Sequence, residues 1–287
     1  MKNRVLKFLT LGAALCGMSA WAGVAKVGTT EYDVFADALA DWGPGKTLEL
    51  LEDVTTTSTF KLEVNASKST QNWFLNLGDH KWTASGCNAI NLYAAGGTLM
   101  NQNYGLKISA NEAGGIVANG KYCVEVTYDT AKTSYRPRLE FCGGHYVGNY
   151  VVYYKSLIWN STSVGNGPAT LFQVGPDGTE PVFDGSMALA KSPVTVNAGV
   201  FNGSTFNTYP VSSTAVTTIN GGKFKTIPSN SSTKVVTYGC VFLFDAISHP
   251  SPSPKTRLII QIKHFDKLLF LRRKPEVKGG SAVHLDP

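Results

Sequence analysis

Apolar residues near the start of the chain recur at the spacing of an amphipathic helix. The positions that set this spacing within residues 32–42 are Val34, Phe35, Ala38, Leu39 and Trp42. Residues three and four apart share one face of a helix, so this face is expected to pack on the rest of the protein. Thr30 is a candidate cap for the helix start, and Gly43-Pro44-Gly45 is expected to end the helix.

Beyond the helix the pattern changes to short apolar segments separated by Gly, Asn and Ser. A strand is predicted at 47–51, and later segments include WFLNLG, RLEFC, PVTVNAGVFNGS and TTINGGKFKT. Val, Thr and aromatic residues favour strands, whereas Gly and Asn favour tight turns. Charged residues make up only 16% of the chain, which contains 29 glycines. The pattern predicts an all-β protein with one short helix.

Three of these segments share a local pattern that opens on Phe141, Val196 and Ile219. Each opening residue is followed by glycine and then by an aromatic residue. The step from Val196 to Ile219 falls within the 20–50 residues typical of repeat architectures, and the longer step before it leaves room for two repeats. We expect the apolar and aromatic positions to point into a core, with glycine at a corner of positive φ.

Residues 25–55, AKVGTTEYDVFADALADWGPGKTLELLEDVT, resemble the opening of pectate-lyase-like right-handed parallel β-helix proteins of the bacterial surface and secreted type. The resemblance implies a right-handed parallel β-helix, or solenoid, with a short N-terminal capping α-helix. A helix over the first coil would protect its open strand edge from other chains. An antiparallel β-sandwich is the alternative fold for a Gly-rich chain of short strands.

Residues 1–22 have the features of a secretory signal peptide. Lys2, Arg4 and Lys7 precede the apolar run 8–18, and Ala20-Trp21-Ala22 is an A-x-A cleavage site. The run is too short to span a bilayer, and no other transmembrane helix is predicted. The protein is therefore expected to be exported to an extracellular, cell-surface or periplasmic location, with a β-helix domain at 23–248.

The formal net charge of +6 is concentrated at the two ends of the chain. The signal peptide is basic, as is the Pro-interrupted tail at 249–287, and the body between them is slightly acidic. Nucleic-acid binding is therefore not expected. The tail is interpreted either as a segment that contacts an acidic surface or membrane, or as a poorly ordered, truncated or frame-shifted end.

The chain lacks the catalytic motifs of the enzymes that its first residues resemble. Pectate lyases carry W-x-D-H, and polygalacturonase-like enzymes carry N-T-D, D-D, G-H-G and R-I-K; only Gly144-His145 is similar to one of these. His145 is expected to be an outward-facing, solvated residue. The four cysteines after the signal peptide lack metal-binding spacing and are expected to be buried thiols or to form one bridge.

The densest acidic stretch is GPDGTEPVFDG, which contains Asp177, Glu180 and Asp184. Their hard oxygen ligands suit Ca²⁺, and a pair of them could serve a glycosidase. Asp-Gly is also an ordinary turn sequence, and both aspartates precede glycine. The turn interpretation predicts no cofactor, and the alternative is a Ca²⁺ ion held by these three carboxylates.

Aromatic residues cluster in HYVGNYVVYYKSLIW, and Tyr146, Tyr153 and Trp159 are the candidates for stacking on sugars. Strict alternation places Tyr150 and Tyr154 on one strand face and Tyr153 on the other, so some of these rings are expected to fill the core.

Two functions remain open from the sequence. The first is an exported, non-catalytic surface or secreted protein in adhesion or glycan binding, with a polysaccharide or cell-surface glycan as partner. The alternative is a polysaccharide lyase or glycoside hydrolase of the pectate-lyase-like superfamily whose site is assembled across coils.

Overall fold

The computed structural model describes residues 23–65, 71–95, 105–128, 137–155, 170–190, 194–209, 217–226, 228–230, 235–237 and 241–242. This part of the chain consists of short β-strands and one α-helix, which confirms the all-β prediction. The predicted signal peptide (1–22), the basic tail (249–287), Trp159 and Cys240 lie outside the described residues.

The helix, α1, spans Phe35–Asp41. The strands in the first half of the chain are β1 (Ala25–Val27), β2 (Thr30–Tyr32), β3 (Thr47–Leu50), β4 (Val54–Thr56), β5 (Phe60–Asn65), β6 (Trp73–Gly78), β7 (Lys81–Ala84), β8 (Ile90–Ala95), β9 (Gly105–Ala110), β10 (Gly115–Tyr128) and β11 (Arg138–Cys142). The remaining strands are β12 (His145–Tyr154), β13 (Thr170–Gln173), β14 (Val182–Ala190), β15 (Val194–Val196), β16 (Val200–Phe201), β17 (Phe206–Tyr209), β18 (Thr217–Ile219), β19 (Lys223–Phe224), β20 (Ser229–Asn230), β21 (Val235–Thr237) and β22 (Val241–Phe242).

The strands form two sheets between which the chain alternates. The first sheet has the order β2-β1-β3-β6-β9-β11-β13-β15-β18-β21, and the second has β4-β7-β10-β12-β14-β16-β19-β22 with β5-β8 joined to β10 and β17-β20 joined to β14. Only β1 makes antiparallel pairs, with β2 and β3; the other described pairings are parallel. The alternative of an antiparallel sandwich is therefore wrong.

Inward residues of the first sheet stack in register. Phe141 pairs with Phe172, Phe172 with Val196 and Val196 with Ile219, and all four side chains are fully buried. The predicted inward orientation of the three pattern-opening residues is confirmed. Phe172 explains the long step between Phe141 and Val196, because it contributes an intervening strand in which Gly175 keeps the glycine position but the aromatic residue, Phe183, comes later in the chain.

The aromatic positions of the same pattern stack in the second sheet. Tyr146, Phe183, Phe201 and Phe224 form a column with ring centroids 5.4, 4.8 and 4.7 Å apart. The two sheets face each other through this column, since the ring of Phe141 meets that of Phe183 edge-on at 5.6 Å. Such edge-to-face contacts add to the stabilisation from apolar burial.

Glycine marks the corners between the two sheets, as the pattern predicts. Gly143, Gly199 and Gly222 have φ values of 69°, 141° and 114°. An L-residue rarely adopts these values, because its Cβ approaches the backbone. The sharp change of direction from one sheet to the other therefore depends on glycine at these places.

The N-terminal end of the sheets is covered by β1 and α1. Phe35 packs edge-on against Trp82 at 5.0 Å, and Trp42 stacks on Phe60 at 5.6 Å. The predicted cap at Thr30 is wrong, because Thr30 pairs with Val27 in the antiparallel hairpin β1–β2. The helix begins instead after Val34, which makes no side-chain capping bond and is 52% exposed.

Candidate functional site

Three tyrosines form a cluster on the outside of the second sheet. The ring of Tyr122 on β10 stacks on Tyr153 of β12 at 4.6 Å, and Tyr150 contacts both at 5.8 and 5.1 Å. All three side chains are half-buried. Together with Glu125, Asn88 and Asn91, which lie beside them, they are called the tyrosine face below.

A change in strand phase brings Tyr150 and Tyr153 to the same side. The register between β12 and β14 shifts between Tyr150 and Val152, and Val151 turns inward and is fully buried. Val152 also points inward, so the next outward residue is Tyr153. Strict alternation along the sequence predicts that these two tyrosines lie on opposite faces. The structure differs because a single register irregularity moves every later side chain to the opposite face.

The same phase change occurs on the neighbouring strand β10. Tyr122 pairs with Tyr150, and Glu125 pairs with Tyr153. Cys123 is fully buried, like Val151. The sequence carried a usable signal here: when YCVEV at 122–126 is laid over YVVYY at 150–154, tyrosine opens both segments and Glu125 matches Tyr153.

Glu125 is the charged group at the centre of the tyrosine face. Its side chain is only 10% exposed. The amides of Asn88 and Asn91 donate to its Oε2 over 3.0 and 3.4 Å, and Lys155 Nζ lies 3.7 Å from its Oε1. A buried carboxylate requires such donors and an opposite charge to remain stable.

Further hydrogen bonds hold these donors in position. The backbone N–H of Tyr122 donates to Oδ1 of Asn88 over 3.1 Å, which leaves the Asn88 amide to donate to Glu125. The Thr127 hydroxyl donates to Oδ1 of Asn91 over 2.7 Å. Each asparagine thus connects two groups of the face, and the amide orientation is determined by its partners.

Tyr122 remains a neutral hydrogen-bond donor. Burial raises the pKa of Tyr122, and the neighbouring Tyr153, Glu125 and Tyr150 raise that pKa further. Because the ordinary pKa of tyrosine is already near 10, the hydroxyl stays protonated at neutral pH. The face therefore combines aromatic ring surface with a hydroxyl donor and a carboxylate acceptor.

Two of the lysines beside the tyrosine face, Lys155 and Lys61, lie against carboxylates. Lys155 faces Glu125, and Lys61 lies 3.9 Å from Glu63 and 4.0 Å over the ring of Tyr93. A flat aromatic surface with paired charges and fixed hydrogen-bonding groups can stack on the apolar face of a sugar and bind its hydroxyls.

The three residues predicted from the sequence to stack on sugars, Tyr146, Tyr153 and Trp159, differ in where the structure places them. Tyr153 belongs to the tyrosine face. Tyr146 does not, because it is fully buried in the core, between Phe141 and Phe183, and its ring cannot stack on a ligand. Trp159 is outside the described residues.

The three carboxylates predicted for Ca²⁺ have separate partners. Asp177 accepts from the hydroxyl and N–H of Thr179, and Glu180 accepts from Lys223 over 3.1 Å. Asp184 accepts from Asn202 and contacts His145. Within the described ranges, no group of three or more His, Cys, Asp or Glu residues lies close enough together to hold a metal ion.

The sequence predicts an outward-facing, solvated His145. Its side chain is 41% exposed, but it is paired with Asp184. Its Nε2 lies 2.6 Å from Oδ2 of Asp184 on the neighbouring strand, and the Asn202 amide donates to Oδ1 of Asp184 over 2.7 Å. Burial opposes ionisation of Asp184, but the bonds from Asn202 and His145 outweigh it, and the pKa of Asp184 is lowered. This cross-strand trio joins three neighbouring strand segments.

A second buried carboxylate, Glu140, lies on the first sheet. Lys107 and Arg138 approach its oxygens at 3.0 and 3.3 Å, and Gln173 also donates to it. No tyrosine cluster accompanies this group in the described chain. Every described contact of Glu140 is with a hydrogen-bond donor of the protein. We therefore interpret Glu140 as a bridge between strands rather than a ligand site.

A groove of about 560 Å³ runs between α1 and the segment from Thr55 to Lys61. Its lining is uncharged apart from Lys61 and is largely apolar, with Phe35, Phe60 and Leu39 beside the hydroxyls of Thr57 and Ser58. It lies at the N-terminal end of the sheets and holds no assembled set of polar groups comparable to the tyrosine face.

Comparison of the chain with protein-family models, with curated protein sequences and with solved structures finds no match in any of the three. In the described part of the chain, no helix is long and apolar enough to cross a membrane.

Proposed function

We propose that this protein is an exported, non-catalytic right-handed parallel β-solenoid that binds glycans through its tyrosine face, on a cell surface or in the secreted medium. The observation that carries the proposal is the contact of three half-buried tyrosines around one carboxylate held by two asparagine amides.

The solenoid part of the proposal is supported by strand order. Strands that alternate along the chain enter the two sheets in sequence, and each pairs in parallel with the strand of the preceding turn. Crossover connections between parallel strands are right-handed in nearly all proteins, and the same hand is proposed here. Export is proposed from the signal peptide predicted at 1–22.

The glycan part is supported by the chemistry of the face. Aromatic rings stack on the apolar C–H face of many different sugars. Tyrosine also loses little side-chain entropy on binding. Glu125 and the two asparagines supply directional acceptors and donors next to the rings. A broad, shallow surface of this kind suits an extended saccharide better than a small enclosed ligand.

The test is binding of the purified full-length secreted protein to a panel of oligosaccharides, followed by calorimetry on any hit. Tyr122→Ala and Tyr153→Ala are expected to weaken binding about fivefold each, because each removes one stacking ring worth about 1 kcal/mol. Tyr32→Ala is the matched control: Tyr32 is a half-buried tyrosine on β2, bonded to Asp41 and remote from the face.

A second arm separates binding from catalysis. The same glycans are incubated with the protein, with and without Ca²⁺, and reducing ends and unsaturated products are measured. Binding without turnover is the expected result. Turnover that survives the tyrosine substitutions would support the lyase or hydrolase alternative, and glycan binding unaffected by either substitution would overturn the assignment to this face.

A further inference from the structure

We infer that the tyrosine face selects neutral, hydroxyl-rich saccharides over uronic or sulfated ones, and that Glu125 is the residue that sets this selectivity. The inference rests on the proposed glycan-binding function and names its ligand class.

The two oxygens of Glu125 differ in their contacts. Oε2 accepts from both asparagine amides, whereas the described contact of Oε1 is Lys155 Nζ at 3.7 Å. That distance exceeds the length of a good hydrogen bond. Of the two carboxylate oxygens, Oε1 is therefore the one left to accept from a ligand.

An ionised carboxylate accepts hydrogen bonds and donates none. A ligand that meets Oε1 must therefore bring a donor, and sugar hydroxyls do so. The carboxylate of a uronic acid or the sulfate of a sulfated sugar has no proton to donate at neutral pH. Such a group also places a second negative charge beside Glu125, and like charges at short distance disfavour binding.

Of the lysines near the face, two already lie against carboxylates, and the third, Lys121, is exposed beside Tyr122. Lys155 faces Glu125, and Lys61 lies beside Glu63. In the described chain around the tyrosine face, these two lysines do not form a basic cluster of the kind that binds anionic sugars.

A cationic ligand is disfavoured for a geometric reason. Aromatic cages hold a cation between ring faces. Tyr122 and Tyr153 instead stack on each other at 4.6 Å with an interplanar angle of 23°, which leaves no space for an ammonium group between them. Both rings are only half-buried, so part of their surface is accessible to a neutral sugar ring.

The experiment compares three classes of oligosaccharide of equal length by calorimetry: neutral gluco- or manno-oligosaccharides, oligogalacturonates and chitosan oligomers. Wild-type protein is expected to bind at least one neutral series ten times more tightly than the oligogalacturonates. Its affinity for the neutral series is expected to change less than twofold between low and high salt, because no net charge is neutralised.

Two substitutions test the role of Glu125. Glu125→Gln keeps the shape and removes the charge, so the preference for neutral over uronic sugars is expected to fall at least fivefold. Lys155→Gln removes the exposed counter-charge and is expected to increase that preference. Glu31→Gln is the matched control, since it removes the same charge from an exposed position of β2 on the other sheet and is expected to leave the preference within twofold.

Thermal unfolding of every variant is measured first. If Glu125→Gln does not fold, Lys155→Gln decides the question alone, since Lys155 is largely exposed. Tighter binding of uronic or chitosan oligomers by the wild type overturns the inference, as does an unchanged preference in the folded variants. Failure of every glycan to bind is a different outcome, which removes the proposed function itself.

Discussion

At the residue scale, the two carboxylates Asp184 and Glu125 are held by partners on neighbouring strands rather than on their own strand. Asp184 contacts His145 and accepts a hydrogen bond from Asn202, which lie in the two neighbouring strand segments. Glu125 accepts hydrogen bonds from Asn88 and Asn91 of the segment before it. Parallel strands place such residues side by side at every step of a sheet. The contacts of these side chains therefore depend on how the strands that carry them are paired.

The Asp184 trio is expected to contribute stability that depends on pH. Its pKa is lowered in the folded state from an ordinary value of 3.8, so the contribution is present above that value. It is lost as pH falls through the lower, folded pKa. The difference in unfolding free energy between wild type and Asp184→Asn is thus expected to be largest near neutral pH and to shrink below about pH 4.

Denaturant unfolding of both proteins at a series of pH values measures this difference. Asp79→Asn is the control, since Asp79 is an exposed turn carboxylate. A gap between wild type and Asp184→Asn that is constant from pH 7 to strongly acidic pH would contradict the expected titration.

At the element scale, the corners between strands depend on both backbone conformation and space. Gly143 and Gly120 have nearly equal φ values of 69° and 70°. A Cβ on Gly143 would lie 2.4 Å from the carbonyl oxygen of Ala110, whereas a Cβ on Gly120 would meet no atom within 4 Å. Substituting each of these two glycines therefore distinguishes the free-energy cost of a positive φ from the cost of steric overlap.

Gly120→Ala is expected to lower the free energy of unfolding by about 1 kcal/mol, the strain of a left-handed backbone for an L-residue. Gly143→Ala is expected to lower it by about 1–3 kcal/mol more, because a backbone oxygen must also move. Chemical denaturation of the two variants gives the comparison. Equal losses would show that the corner at Gly143 has room that the structure does not indicate.

At the scale of the whole molecule, a continuous aromatic core joins the two sheets. Phe183 contacts the rings of Tyr146, Phe201, Phe141 and Phe172. It is fully buried. A residue in contact with both sheets and with successive strands stabilises the assembly as a unit, because its loss leaves a cavity that no single strand can fill.

Phe183→Ala is expected to lower the free energy of unfolding by about 3–5 kcal/mol. Phe74→Ala is the matched control, since Phe74 lies half-buried on the outer side of β6 and is expected to contribute about 1 kcal/mol. Calorimetric or denaturant unfolding measures both. A loss for Phe183→Ala no larger than that for Phe74→Ala would contradict the continuous core.

The sequence by itself determined the residues that fill the core. Phe141, Val196 and Ile219 are inward as predicted, and glycine lies at the corners, because apolar side chains and positive φ leave local signatures in composition and spacing. The all-β class and the single helix near the start follow from the same local rules. The helix start at Val34 does not, since the hairpin β1–β2 takes Thr30 into the sheet.

Only the tertiary structure decided which polar and aromatic residues meet. Alternation placed Tyr150 and Tyr153 apart, and the inward turn of Val151 brought them together. Glu125 and its asparagine partners are more than thirty positions apart in the chain, with separations of 37 and 34. Local spacing specifies the face on which a residue lies within a regular strand, whereas the neighbours across strands depend on register, which is set by the packing of distant segments.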